Sequence, residues 1–415
     1  MKGKGKNRLR MIAIPLLTLA LTFAVGMQPS QAADEIHIGF LTPMSGGLSK
    51  PGIEAKWGFE LFWEEMGHKA GGKNIKVSYA DSACNPDATI NQGRRLIFQE
   101  KVDFLVGPFC GHAGVALAQV AVETKTPLIL FIAGGDNLTK WGANPLVVRT
   151  GFCSSQDSHA FGEWLYKEKG LRNVTFIGQD YTFGQEKTLG AVDTFKQAGG
   201  KVAKIIWAPM NTKDYGPLLA GIPTDSDGVV ATVVGGHRTK FFQQWFDFGY
   251  DRKFKVFGLH WLQTDALETL NDDQANGLVS QALPYAQGID TPENKKFMDL
   301  YIKKHKAIPS YGVEMAYTSG LFIKAALDAV GGNVADKEAF LNAVRKAKVV
   351  APRGPMTIDA YNNPVQNVYI SEARKIKHET LGEVWINVPV KTYKNVSQFW
   401  NWSPEEYLKR GPYKR

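Results

Sequence analysis

Short apolar runs, each closed by a tight turn and followed by a stretch of helical spacing, recur along this chain and pass through the cycle twice. The first series opens with Ile36-His37-Ile38-Gly39-Phe40-Leu41, turns through Thr42-Pro43-Met44-Ser45-Gly46-Gly47, and continues as a helix over about 52–66. Strands at 75–79, 103–106 and 128–132 then alternate with helices at about 85–99 and 113–123; Pro86 suits a first helical turn. Alternation at this spacing predicts a parallel sheet wound with helices on both faces. The series restarts at 174–177, turns through Asp180-Tyr181-Thr182-Phe183-Gly184, and enters a helix that Gly199-Gly200 ends. Strands at 202–207, 228–234 and 255–258 follow, and Phe241, Phe242, Trp245 and Phe246 on the helix between the last two read as core. Beyond Gly277 the order loosens into a strand at 278–283, helices at 291–305 and 319–330, and paired strands across 354–370. The expected class is α/β, with two doubly wound lobes of similar size joined by several crossings. Ligands of open α/β sheets bind outside the carboxyl ends of the strands, and two facing lobes pool those ends in one cleft.

The first ten residues carry Lys2, Lys4, Lys6, Arg8 and Arg10 and no acid. An apolar run over 11–25 and Ser30-Gln31-Ala32 complete the pattern of a secretory signal, with cleavage expected after Ala32 and the periplasm as destination. The apolar run is short for a membrane anchor. The chain holds 49 Lys+Arg against 40 Asp+Glu; without those five basic residues the balance is 44 to 40. That excess does not support nucleic-acid binding and steers an anionic ligand only weakly through salt. Export permits disulfides. Three cysteines, Cys84, Cys110 and Cys153, allow one pair and one free thiol.

Catalytic constellations are missing from the sequence: no phosphate-binding glycine loop, no nucleophile elbow, and eight histidines scattered without metal-ligand spacing. Neither metal nor cofactor is expected. The chain instead carries glycine-rich turns after strands: Ser45-Gly46-Gly47, Cys110-Gly111-His112-Ala113-Gly114 and Ala133-Gly134-Gly135. Small residues there let a ligand approach backbone N–H groups. The helix expected from Ala113 would aim its first-turn donors at the cleft, a setting that suits a carboxylate.

The order and spacing of several segments resemble the type I periplasmic solute-binding proteins, specifically the branched-chain amino acid receptors of ABC transporters. The segments are Ile36–Phe40 with Ser45-Gly46, Tyr79-Ala80-Asp81-Ser82-Ala83-Cys84-Asn85-Pro86, Val106-Gly107-Pro108-Phe109-Cys110, Arg149-Thr150-Gly151, Asp180–Gly184 and Gly235-Gly236. The resemblance implies two Rossmann-like lobes, closure around a ligand, and hinge crossings near Thr150 and Gly151, near 279–283 and near 366–368. It divides the chain into a signal (1–32), a first lobe (33–150 with 281–366), a second lobe (151–280 with 367–395) and a C-terminal strap (396–415) packed over one lobe. It also implies a monomer serving an inner-membrane permease, and a Cys84–Cys110 disulfide with each cysteine just after an adjacent strand. Cys153 is then left as a buried small apolar residue rather than a reactive thiol.

Departures from the receptors narrow the ligand. Leucine-type receptors hold a carboxylate with hydroxyl side chains where this chain has Gly111-His112 and Ala133-Gly134-Gly135, and neutralise the α-ammonium with an acid where it has His260. An ammonium facing no carboxylate would be costly to desolvate. The ring side chains Tyr181, Phe183 and Trp261, and more weakly Trp57, favour an aromatic ligand, with His237, Arg238 or His260 as polar contacts. This resembles the branch that binds benzoates and cinnamates, as does the aromatic tail from Phe399 to Leu408. The expected ligand set is Ser45, Gly111, His112, Ala133, Gly134, Gly135, Tyr181, Phe183, His237, His260 and Trp261. A branched-chain amino acid or a short amide such as urea is the alternative ligand; an exported α/β enzyme and a sensor domain are the alternative classes.

Overall fold

The computed structural model describes residues 1–3, 5, 35–260, 262, 264–281 and 284–415. The expected signal segment, its cleavage site and Trp261 lie outside the described residues. Six strands, β1 (Glu35–Thr42), β2 (Lys69–Ala70), β3 (Lys73–Asp81), β4 (Phe104–Val106), β5 (Leu128–Leu130) and β6 (Val147–Arg149), form the first sheet in the order β2-β3-β1-β4-β5-β6. All neighbours are parallel except the short β2–β3 pair. The second sheet comprises β7 (Asn173–Gln179), β8 (Lys201–Ala208), β9 (Gly228–Thr232), β10 (Lys255–Leu259), β11 (Val279–Gln281), β12 (Val349–Ala351), β13 (Gly354–Ile358), β14 (Pro364–His378) and β15 (Gly382–Val396). Its order is β12-β13-β14-β11-β10-β9-β7-β8, with β15 beside β14.

Alternation along each strand decides which core a side chain joins. Ile36, Ile38 and Phe40 of β1 pack under the helices Ser49–Glu65, Pro292–His305, Tyr311–Ala329 and Lys337–Lys346. Leu41 of the same strand faces the helices Pro86–Phe98 and Gly111–Glu123. The second sheet behaves alike: Ile177, Val229 and Ala231 pack with Phe241, Phe242 and Trp245, whereas Val174, Phe176 and Val230 pack with Phe161, Trp164 and Phe195. Coverage of both faces explains the continuous apolar runs of these strands. Local chemistry sets the helix ends. Asn85 accepts the Ala88 N–H at 3.0 Å, with Pro86 behind it at the first helical position.

The chain passes between the two sheets where polar side chains are locked. Gly151, just after β6, runs so close to Phe131 that an added Cβ would lie 2.2 Å from its carbonyl oxygen. After β11 the chain enters the core under the first sheet through Tyr285. β14 begins paired with β13 and, past a register shift between Gln366 and Val368, pairs with β11. Arg353 and Glu314 form an ion pair among these passages with both side chains wholly buried. Arg353 also donates to the Thr150 carbonyl at 2.6 Å and to Gln366 Oε1 at 2.9 Å.

Several elements differ from expectation. The helix read from residue 319 starts at Tyr311, and helices at Gln156–Lys167 and Lys337–Lys346 went unread. The paired strands at 354–370 are β13 and the first part of β14, as expected, but β14 runs on to His378 and returns as β15 in a long hairpin that was not expected. The sheets are unequal, because that hairpin extends the second. The tail is a strap, but it touches both lobes. Trp141 Nε1 donates to the Leu408 carbonyl at 2.8 Å on one side, and Arg410 and Tyr413 reach Asp193 on the other. Its short helix, Pro404–Lys409, opens with a capping box between Ser403 and Glu406.

Candidate functional site

The carboxyl ends of both sheets meet at a cluster of rings. From the first lobe come Phe109, after β4, and Tyr311, at the start of its helix; their centroids lie 6.0 Å apart. From the second come Tyr181 and Phe183, after β7, and His260, after β10. His260 stands edge-on to Tyr311 at 4.9 Å and to Phe183 at 5.9 Å. Phe183 continues the series to Tyr181 at 6.0 Å and to Phe152, just past the first crossing, at 6.3 Å. Phe183 also packs against the core of the opposite lobe. The cleft is thus closed on itself, with aromatic faces from both sides in contact.

The first-lobe wall beside these rings is backbone. An added Cβ on Gly111 would lie 3.6 Å from the Gly135 nitrogen, so the two glycine turns face each other. The helix Gly111–Glu123 starts two residues earlier than expected, so Gly111 belongs to its first turn. Gly134 packs on the Phe152 ring, and its carbonyl accepts from Ser154 Oγ at 2.8 Å. Arg149 Nη2 donates to the Gly135 carbonyl at 2.6 Å and holds that turn in place. Ala133 is buried behind it.

Four of the expected contacts do not join this cluster. Ser45 is exposed and turned to the Asp81 carboxylate. His112 is exposed, and its Nε2 bonds the Cys84 carbonyl at 2.7 Å, on the side of the disulfide. His237 is half-buried with Nδ1 on the Thr212 carbonyl at 3.2 Å. Trp57 stacks on His305 at 4.7 Å. Arg238, the next residue after His237, is buried, and after burial itself its charge is the next cause that holds His260 well below the usual imidazole range. Sequence reasoning missed Phe109, Phe152 and Tyr311. Phe109 and Phe152 lie inside or beside the segments that carried the family resemblance, which was the available signal. Tyr311 had none, because its helix was read to begin eight residues later.

The cysteines pair as the resemblance implied: Cys84 and Cys110 form a disulfide and Cys153 stays free. The two half-cystines do not follow adjacent strands, since β1 lies between β3 and β4. Cys153 is buried in polar company, donating to Asp136 Oδ1 at 2.8 Å. Burial and the Asp136 charge push its thiol up to about 12, which leaves it unreactive at neutral pH.

Behind the glycine turn lies a buried polar latch. Burial pushes the Asp136 carboxyl up, but Lys140 at 2.9 Å and hydrogen bonds from Cys153 and Ser155 outweigh it and hold the group at about 2. Glu186, one helical turn beyond Phe183, accepts the Asp136 N–H at 3.2 Å and so ties the second lobe to the first. Burial, then the Asp136 charge, pushes the Glu186 carboxyl up to about 8. An acid whose pKa rises on folding supports the fold fully below its unfolded value and loses that support as pH climbs through the folded one. Wild-type stability should therefore fall between pH 5 and 8 with a slope of up to ~1.4 kcal/mol per unit from this group. Chemical denaturation across that range should show the slope in wild type and its reduction in Glu186→Gln. Equal slopes in both proteins would remove Glu186 from the latch.

A model of the periplasmic binding protein family matches residues 35–377. A curated relative, the Leu/Ile/Val-binding protein homolog 6 of Brucella melitensis biotype 1, is 26% identical over 402 residues, 93% of this chain and 97% of the relative. Among solved structures, an ABC transporter substrate-binding protein from Sphaerobacter thermophilus superposes with a TM-score of 0.83 at 26% identity, over 88% of this chain and 99% of that one. A solute-binding protein of an ABC transporter from R. palustris, solved in complex with 4-hydroxybenzoate, gives 0.80 at 27% identity over 88% and 98%.

Proposed function

The chain belongs to the periplasmic binding protein family, and from that premise we propose that it captures an aromatic carboxylate between its lobes. It is the solute-binding component of an ABC transporter. The observation that carries the ligand assignment is the ring series Phe109–Tyr311–His260–Phe183–Phe152, which crosses from one lobe to the other without a carboxylate in it. Among the described residues, the series itself offers an α-ammonium rings and a neutral imidazole and no carboxylate. A flat ring finds edge and face partners worth ~0.5–1.5 kcal/mol each beyond burial. The carboxylate belongs against the backbone donors of the Gly111 and Gly135 turns, on the axis of the helix that Gly111 opens.

Binding works by population shift. The ligand gains contacts with both lobes only when they close, so it favours the closed form by the differential alone. The hinge passes through Thr150 and Gly151, the segment after β11, and Gln366 to Val368, where β14 changes partner. The closed form is the one the permease engages. The proposed cycle needs no covalent step and no second copy of the chain. Export to the periplasm fits the basic and apolar start of the sequence, and no helix among the described residues is long and apolar enough to cross a membrane.

A thermal-shift panel of the protein lacking residues 1–32 tests the assignment. Benzoate, hydroxybenzoates and cinnamates should raise the melting temperature, at least one of them by several degrees at a hundredfold excess over Kd, which is worth ~2.7 kcal/mol. Leucine, valine and urea should not. Stabilisation by leucine with no response to any ring acid would replace this reading with the amino-acid one.

A further inference from the structure

Two buried polar atoms at the second-lobe edge of the cleft have no hydrogen-bond partner among the described residues: His260 Nδ1 and Gln179 Nε2. His260 is 6% exposed, and its ring stands between Tyr311 of the opposite lobe and Phe183. Its backbone is left-handed, with φ of 64°, a conformation that costs a side-chain-bearing residue energy and that gathers at ligand sites. Gln179 closes β7, is wholly buried, and uses its Oε1 to accept the Val234 N–H at 3.0 Å. The register pairs Gly178 with Thr232 and Gly258 with Ala231, so Gln179, which ends β7, and His260, which follows β10, lie on either side of β9 at the same level. Two strand spacings, about 10 Å, separate their backbones. Such a pair marks one wall of the cleft as wanting hydrogen bonds, beyond the ring faces and backbone donors already assigned.

The chemistry of the missing partner follows from the state of His260. Burial, then the Arg238 and Lys187 charges, keep its imidazole neutral. A neutral imidazole offers at Nδ1 either a lone pair or an N–H, depending on the tautomer. A ring hydroxyl meets both cases, donating to the first and accepting from the second. A carboxylate meets only the second, and a ring C–H meets neither. The carboxylate is in any case placed at the glycine turns on the opposite wall. We infer, resting on the aromatic-acid reading, that this cleft selects ring acids bearing a hydroxyl group, which His260 Nδ1 meets while Gln179 supplies a further donor on the same wall. An unhydroxylated ring acid leaves the imidazole nitrogen buried and unsatisfied, a penalty that corresponds to about ten- to hundredfold in affinity.

The test is a calorimetric titration with benzoate, 4-methylbenzoate, 3-hydroxybenzoate and 4-hydroxybenzoate. The methyl acid matches the hydroxyl acid in size and lacks its hydrogen bond. Wild type should bind at least one hydroxybenzoate about tenfold or more tightly than both benzoate and 4-methylbenzoate. His260→Phe should bring all four acids within about threefold of one another. Because the left-handed backbone at 260 suits glycine better than Phe, His260→Gly, which carries no side-chain hydrogen-bonding group, serves as a second variant with the same expected loss of preference. Benzoate or 4-methylbenzoate binding wild type as tightly as both hydroxybenzoates would overturn the inference while leaving the aromatic-acid reading intact. So would a hydroxyl preference that survives in both variants. Failure of wild type to bind any of the four acids would overturn the aromatic-acid reading itself, and the inference with it.

Discussion

Glu314→Gln should destabilise the protein by about 3–5 kcal/mol, the range seen when one partner of a buried ion pair is removed. Glu314 and Arg353 are each wholly buried, so the substitution leaves a guanidinium with no counter-charge in the interior. The damage also falls on the passages between lobes, because the same guanidinium holds the Thr150 carbonyl and Gln366. Thr318, whose hydroxyl donates to Glu314 at 2.6 Å, then competes with Arg353 for the single amide oxygen that remains. Replacing both charges, as in Glu314→Leu with Arg353→Met, should cost less than the single change, since no uncompensated charge remains. Urea denaturation of the three proteins measures this order. A single variant within about 1 kcal/mol of wild type would show that the pair does not support the hinge.

Loss of the Cys84–Cys110 disulfide should cost about 3–4 kcal/mol, from the chain freedom that a closed loop of this length denies the unfolded state. The two cysteines are 26 residues apart in sequence. The bond ties the turn after β3 to the turn that opens the helix at Gly111. The glycine wall of the cleft is therefore fixed at one end by a covalent link and at the other by Arg149 on the Gly135 carbonyl. Cys84→Ser with Cys110→Ser should lower the denaturation midpoint and also weaken ring-acid binding, because the Gly111 donors lose their anchor. Wild type under reducing conditions should show the same two changes. An unaltered midpoint in both would mean that the turn holds itself without the bond.

Most of the strand-and-helix order was legible, and the reason is physical: strands buried on both faces read as unbroken apolar runs, and glycine turns punctuate them. What escaped has a common cause. Glu314 interrupts the apolar spacing of its helix, so the pattern is recognisable only from Ser319 onward, yet it is buried because Arg353 neutralises it. Asp157 near the start of the helix Gln156–Lys167 is buried against Lys187 in the same way. A charge that looks like a surface residue in sequence becomes an interior one only through a partner far along the chain. The outer part of β14 and the whole of β15 were missed for the opposite reason: Arg374, Lys375, Lys377 and Glu383 are strand residues on an exposed extension, where charges break the apolar pattern.

The site was legible in part along the same lines. Tyr181, Phe183 and His260 follow carboxyl ends of strands in one sheet, where the rule for open α/β sheets points. His112 and His237 were drawn in by their chemistry, but each is engaged by a nearby carbonyl, at Cys84 and Thr212. Phe152 and Tyr311 enter the ring series through the crossing and through a helix from the far end of the sequence. That juxtaposition exists only after folding.

The ligand assignment depends on one arrangement, in which a ring acid touches both lobes at once. The most direct measurement is a crystal structure of the protein grown with 4-hydroxybenzoate. The expected result is a single ligand with its carboxylate on the Gly111 and Gly135 backbone and its ring among Phe183, His260 and Tyr311. A ligand held by one lobe alone, or lodged away from the Tyr181–Phe183 turn, would contradict it.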